Sequence, residues 1–233
     1  MKIAIAGYKG RMGQMLVREL ESGTWPDLVY GGGTDSSDDP EKLFDADLVI
    51  DFTKPEATRK HIWLAAKHHK SLIIGTTGLG AQDHKEMQDA SLECPLLFSA
   101  NMSVGVNLLA ALVEQAATRL GDQFDIEILE THHHNKIDAP SGTALMLGKA
   151  TGRKAAPYER SGKRESGTVG YAVQRGGDVV GEHTVSFFGP GERLELGHRA
   201  HDRSLFAKGA LRAALWLKDQ PYGLYSMRDV LDI

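Results

Sequence analysis

The stretch KIAIAGYKGRMGQMLVRELE, residues 2–21, sets a strand, a glycine turn and a helix in succession. Lys2 to Ala6 is short, apolar and rich in Ile, the pattern of a strand buried on both faces. Gly7, Gly10 and Gly13 follow at intervals of three, and Met12, Met15, Leu16 and Leu20 then keep a helical period, which predicts a helix over 11–21. A glycine turn between a strand and a helix brings backbone N–H groups and the helix N-terminus against a pyrophosphate, where any side chain at the point of closest approach would intrude. Gly13 would let the helix lie close to the sheet, and Lys9 and Arg11 add positive charge to the loop. The spacing is GxxGxxG rather than GxGxxG, so a turn that merely ends a strand remains the plain alternative.

Outward from this unit the alternation continues. Strands are expected over 27–31 (weak, frayed by Gly31, Gly32 and Gly33), 47–52, 71–74 and 95–99, and a helix over 82–90. Another helix should begin at Thr53, with Thr53 as N-cap, Pro55 in the first turn and Glu56 closing a capping box. No full helix follows the second strand; residues 39–45 are expected to replace it. The pattern predicts an α/β fold, a Rossmann-like, mostly parallel, doubly wound sheet with right-handed crossovers. Asp35 lies 22 residues beyond Gly13, just past the second strand, where an acidic residue accepts hydrogen bonds from an adenosine ribose. Its charge disfavours a 2'-phosphate while Lys9 and Arg11 offset that, so the choice between NADH and NADPH stays open. The segments Gly75-Thr76-Thr77-Gly78 and Ser99-Ala100-Asn101-Met102-Ser103 follow strands four and five at the carboxyl end of the sheet, where small residues leave room for a nicotinamide. For Thr76 and Thr77 simple helix capping is the alternative.

After Gly105 the texture changes. A long helix is expected over 106–120, an alternating strand over 124–131 with Phe124, Ile126 and Ile128 on one face, a short helix over 141–150 and a polar, basic surface loop over 153–168. Strands over 169–173, 182–188 and 193–199, the last two joined at Gly189-Pro190-Gly191, make a second α+β domain on a mixed or antiparallel sheet; a helix over 203–217 follows. The densest polar passage is ETHHHNKIDAPSGT, residues 130–143. Strand alternation sends His132 and His134 one way and His133 the other. Histidine delivers a proton near neutral pH, and Lys136 holds an anion or donates a proton if its pKa is lowered. Ser141, Gly142 and Thr143 open a helix whose N–H groups and hydroxyls suit a carboxylate or phosphate. Two alternatives stand beside this: a metal site on His132 and His134 with Asp138 or Glu130, for which HExxH-type spacing is absent, and ordinary polar residues at a sheet edge.

Composition narrows the class. The 233 residues are 41% apolar and 25% charged, an ordinary globular balance, and a net charge of -4 argues against a protein built mainly for nucleic acid. The single cysteine, Cys94, excludes a disulfide framework and a cysteine-rich metal site, so no metal is expected. No apolar run reaches the roughly 18 residues of a membrane span, and the first residues lack a secretory signal, so a cytoplasmic setting without membrane partners is the default.

The passage HHHNKIDAPSGTAL, residues 132–145, resembles the signature of the 4-hydroxy-tetrahydrodipicolinate reductase (dihydrodipicolinate reductase) family. AGYKGRMG at 6–13, GTTG at 75–78, SANMSVGVN at 99–107, GGDVVGEHTVSFFGPGERLEL at 176–196 and MRDVLDI at 227–233 are similar to it in the same order, so the resemblance spans almost the whole chain. It implies an NADH- or NADPH-dependent oxidoreductase that reduces a small cyclic dicarboxylated substrate, with loss of water, in lysine and diaminopimelate biosynthesis. It implies His132 as proton donor, Lys136 as the catalytic lysine, His133 as a substrate ligand, and Gly142 and Thr143, beside Ser141, at a substrate carboxylate. Cofactor contacts would fall on Gly7, Tyr8, Lys9, Gly10, Arg11, Met12, Asp35, Gly75, Thr76, Thr77, Ser99, Ala100, Asn101 and Met102. A discontinuous dinucleotide-binding domain, 1–103 plus 204–233, would embrace a substrate-binding and oligomerisation domain, 104–203, with closure over the ligands and a homotetramer assembled through the second sheet. The chain is shorter than most of the family between Asp35 and Gly75, and Lys9 stands where many relatives have Gly. The competing classes are a reductase for another small imine or oxo acid, a non-enzymatic NAD(P)-sensing protein and a zinc hydrolase.

Overall fold

The computed structural model describes residues 1–158 and 162–233; residues 159–161, inside the predicted surface loop, lie outside the described residues. In chain order the elements begin with β1 (Lys2–Ala6), α1 (Arg11–Glu21), β2 (Val29–Thr34), a 3-10 turn (Pro40–Asp45), β3 (Leu48–Asp51), α2 (Pro55–His68), β4 (Ser71–Ile74), α3 (Ala81–Ala90) and β5 (Pro95–Phe98). They continue with α4 (Val104–Leu120), β6 (Asp125–His132), α5 (Gly142–Ala150), β7 (Lys154–Ala155), β8 (Thr168–Arg175), β9 (Gly181–Gly189) and β10 (Glu192–Ala200). Last come α6 (Ser204–Leu217), β11 (Gly223–Tyr225) and α7 (Met227–Leu231). The chain divides into two compact units, Met1–Val104 with Ser204–Ile233, and Gly105–Arg203.

The first unit is a six-stranded sheet in the order β11-β5-β4-β3-β1-β2, and every pairing in it is parallel. Strands this apolar on both faces need cover on both. One face packs Ile3, Ile5, Ile50 and Ile73 against α1, α6 and α7; the other packs Ala4, Val49, Leu72 and Ile74 against the 3-10 turn, α2 and α3. Each fully buried Ile contributes about 1.5–3 kcal/mol. The order of connection reverses beside β1, whose neighbours are β2 and β3, so a crevice opens at the carboxyl ends of these strands.

Three local expectations are corrected. The second strand does not fray at its glycines but runs through them: Ala4 pairs with Gly32 and Ile5 with Gly33. A Cβ on Gly33 would fall 2.6 Å from the Ile5 carbonyl oxygen, so glycine is what allows the pairing. Thr53 does not cap α2; Lys54 occupies the N-cap without a side-chain bond, because Thr53 donates both its N–H and its hydroxyl to Asp51. The five expected strands are six, since β11 adds to β5 near the C-terminus.

The second unit carries a mixed five-stranded sheet, β10-β9-β6-β8-β7, with β6 parallel to β8 and antiparallel to β9. The short strand β7 lies within what the sequence predicts as loop. Leu109 and Val113 of α4 and Leu147 of α5 pack on Ile126, Ile128, Val169, Val185 and Phe187. Along β6 burial alternates, so Glu130 and His132 continue the buried face of Ile126 and Ile128. Register then sets Glu130 opposite His183 and His132 opposite Arg175.

Candidate active site

In the first unit the glycine turn shapes a cavity of about 610 Å3 at the β1 end of the crevice. Gly7 has φ +77°, a conformation that favours glycine, and its N–H donates to the Thr34 carbonyl at 2.8 Å. A Cβ on Gly13 would stand 2.2 Å from the Gly7 carbonyl oxygen and 2.5 Å from Tyr8 Cα, so the absence of a side chain is what lets α1 press against the loop. Gly10 is the N-cap of α1 and supplies no side-chain cap. The same cavity is walled by Thr34 at the end of β2 and Asp35 just after it, and by Thr53 and His61 across the crevice. A turn without side chains, a helix start without a side-chain cap and a carboxylate beyond β2 fit the pyrophosphate and ribose of a nicotinamide dinucleotide. Lys9 Nζ is 3.9 Å from Asp35, both partly solvated, so this carboxylate has a cation within reach.

Of the sequence-expected cofactor residues, Gly7, Gly10 and Asp35 line this cavity. Tyr8, Lys9, Arg11 and Met12 belong to the turn and the first turn of α1 around it. Gly75 packs so tightly on Phe52 that a Cβ would meet the ring at 2.3 Å. Thr77 is exposed, while Thr76 is buried and its hydroxyl accepts from Thr58 at 2.8 Å. Ser99 and Asn101 bond to each other across the loop after β5, beside exposed Ala100, and the Met102 side chain is buried in the core, leaving only its backbone near that edge.

Beneath the seat lies a buried polar cluster. Asp51, fully inaccessible, faces His61 Nδ1 at 2.8 Å and accepts from Thr53 at 2.7 and 2.6 Å. Burial pushes this carboxyl up, but His61 and Thr53 outweigh burial and hold it below the ordinary range. A lone acid and a histidine ten residues apart carry no sequence motif; only the packing of α2 on β3 joins them.

In the second unit β6 delivers His132 and ends. His132 Nδ1 is hydrogen-bonded to Glu130, which is fully buried. Arg175 grips both oxygens of Glu130 at 2.9 Å, and the Ser141 N–H donates to it at 3.0 Å. Burial pushes the Glu130 carboxyl up, yet Arg175, His132 and Ser141 together hold it below its ordinary value. The His132 ring is shifted downward, first by burial and then by Lys136 and Arg175, with Glu130 opposing. His183 stands edge-on to His132 at 5.1 Å, bonds Ser141 Oγ through Nε2 at 3.0 Å, and is pushed down to about 4, chiefly by burial.

The remaining expected residues spread from there. His133 Nε2 accepts from Arg203 at 3.1 Å. Exposed His134 turns away, donating Nδ1–H to the Gly177 carbonyl at 2.8 Å. Lys136 Nζ donates to Asp138 at 2.8 Å. Ser141 caps α5 through the Ala144 N–H, so Gly142 and Thr143 begin the helix. The donor atoms of Glu130, His132 and His183 lie within 4.8 Å of one another, but His134 is not among them and both Glu130 oxygens are already on Arg175. Arg175 and His183 escape a linear reading because sheet register alone sets them opposite His132 and Glu130, and Arg203 reaches His133 from 70 residues away. The signal for Glu130 was present: it falls on the apolar face of an alternating strand.

Two family models match the chain, the dihydrodipicolinate reductase N-terminus over residues 1–102 and the dihydrodipicolinate reductase C-terminus over 105–231. The 4-hydroxy-tetrahydrodipicolinate reductase of Pseudomonas fluorescens (strain Pf-5) is 46% identical over 100% of this chain and 99% of its own. That of Zymomonas mobilis is 46% identical, covering 100% and 98%. A solved dihydrodipicolinate reductase from Paenisporosarcina sp. TG-14, with dipicolinate bound, superposes with a TM-score of 0.79 at 21% identity over 97% of each chain, a likeness of fold.

Proposed function

The chain belongs to the dihydrodipicolinate reductase family, and from that premise we propose how its own residues carry the reaction. It is an NAD(P)H-dependent oxidoreductase that reduces 4-hydroxy-tetrahydrodipicolinate to tetrahydrodipicolinate in the diaminopimelate route to lysine. One substrate, one reduced dinucleotide and one proton give product, oxidised dinucleotide and water, and the bound reduced nicotinamide supplies the hydride.

The first unit binds the dinucleotide. Backbone N–H groups of the Gly7–Met12 turn and the start of α1 hold the pyrophosphate, and Asp35 accepts from the adenosine ribose. Lys9 beside Asp35 tempers the repulsion of a 2'-phosphate, which supports use of either cofactor. The loops 75–77 and 99–102 take the nicotinamide end. The second unit binds the substrate. Gly142 and Thr143 present the N-terminus of α5 to one carboxylate, and His133 and Lys136 take the other polar groups. His132 gives the proton from its ring, and Lys136 holds developing negative charge nearby. Water leaves from the carbon bearing the hydroxyl in the same site. The protein works in the cytoplasm as a homotetramer; exposed Leu129 and Phe188, on one face of the second unit's sheet, support the assembly. Among the described residues, no helix is long and apolar enough to cross a membrane.

The observation that carries this reading is the match to both family halves across the chain, the second half spanning the strand that ends at His132. The test is oxidation of NADH and of NADPH, run separately with freshly generated substrate. Substrate-dependent oxidation is expected; dinucleotide binding without turnover would favour a sensor, and turnover only of a different imine would reassign the substrate.

A further inference from the structure

We propose that Glu130 is a positioning residue for proton delivery: it fixes His132 through Nδ1, so that Nε2 is the nitrogen that gives up the proton, and it ties that ring to the carboxylate-binding start of α5. The inference rests on the reading of His132 as proton donor. Glu130 is fully buried on the apolar face of β6, where an acid is kept only if its charge is met. Every direction is met here. One oxygen takes the Ser141 N–H and one Arg175 nitrogen; the other takes the second Arg175 nitrogen and His132 Nδ1. A carboxylate so held cannot turn, and it accepts only, so Nδ1 carries the hydrogen in either protonation state of the ring. Nε2 is then the exchanging atom. The space before it is kept open by Gly181, where a Cβ would stand 2.9 Å from Nε2.

The charged and titratable groups around the ring are few. Glu130 comes from β6, Arg175 from β8, His183 from β9 with His198 of β10 behind it, and Lys136, paired with Asp138, from the loop after β6. Glu130 is the sole anion in direct contact with the ring among the described residues. Ser141 links the ring's anchor to the start of α5: its N–H is on Glu130 and its hydroxyl caps α5 and meets His183. A shift at the carboxylate seat is thereby transmitted to the proton donor.

Glu130→Gln keeps the size and removes the charge. It is expected to lower kcat about 100-fold and to move the basic limb of the kcat–pH profile down by about 1 pH unit, with NADH affinity unchanged. A merely structural role would lower activity without moving that limb. The second measurement needs no variant: in 15N spectra of the unaltered protein, Nε2 of His132 should lose its proton as the ring titrates while Nδ1 retains it. An unmoved pH limb in Glu130→Gln, or deprotonation at Nδ1, would overturn the proposal. Should His132→Gln retain full turnover, the donor assignment fails instead, so the two failures are told apart.

Discussion

Gly13→Ala places one methyl group against backbone that has nowhere to go. The new Cβ would stand 2.2 Å from the Gly7 carbonyl oxygen, 2.5 Å from Tyr8 Cα and 2.8 Å from the Tyr8 carbonyl carbon. An ordinary contact begins at 3.4 Å, so turn and helix must part by about 1 Å. None of the three atoms is the end of a flexible side chain, and Gly7 is held from the other side by its bond to Thr34. Overpacking of this kind costs about 1–3 kcal/mol. Part of that is lost stability and part is displacement of the N–H groups proposed to meet the pyrophosphate. The expected result is a lower Tm and an NADH affinity weakened about 10- to 100-fold, read by fluorescence titration. Substrate-analogue binding to the second unit should stay as it was. If Gly13→Ala bound NADH as tightly as the unaltered protein, the turn would not be the pyrophosphate seat and the steric reasoning would be wrong.

Other expectations follow from the two buried clusters. His132→Gln should lower kcat by about 100-fold or more while leaving NADH affinity unchanged in the same titration. Lys136→Met should raise KM about 10-fold and lower kcat as well, since it removes a charged donor; steady-state kinetics separates the two. Asp51→Asn breaks a buried pair with His61 and should cost about 3 kcal/mol in urea unfolding. Because the Asp51 carboxyl is held below its ordinary 3.8 in the fold, its contribution is present above that pH and is lost as pH falls through the lower folded value; the variant should lack that acid-side loss. His183 behaves alike on the acid side but for a different reason: burial brings it from 6.5 to about 4, so the unfolded chain takes the proton first and stability falls as pH drops through that window. His183→Gln should flatten the fall by at most about 3 kcal/mol in urea midpoints measured across it.

The fold was legible where local pattern and burial coincide. Apolar β1, the glycine turn and the periodic α1 are found within the stretch that announces them, and α1 has the expected bounds. The misreadings are places where a distant contact overrides local preference. Thr53 has the residue type and spacing of an N-cap, but Asp51 binds it first. The glycines of β2 look like a break, yet the closeness of Ile5 and Tyr8 demands Gly33, and a φ of +115° favours Gly32. The three residues of β11 are too short to show a period and exist because β5 offers an open edge. The site was half legible for the same reason. His132, Lys136 and Ser141 lie within ten positions, whereas Arg175 and His183 reach Glu130 only through the register of β6 with β8 and β9.

Isotope transfer shows whether a hydride from the dinucleotide ends on the cyclic substrate. Turnover with NADH carrying deuterium at the transferable position of nicotinamide C4 should yield tetrahydrodipicolinate heavier by one mass unit. Oxidation of the labelled cofactor with no label in that product would mean that the hydride goes elsewhere.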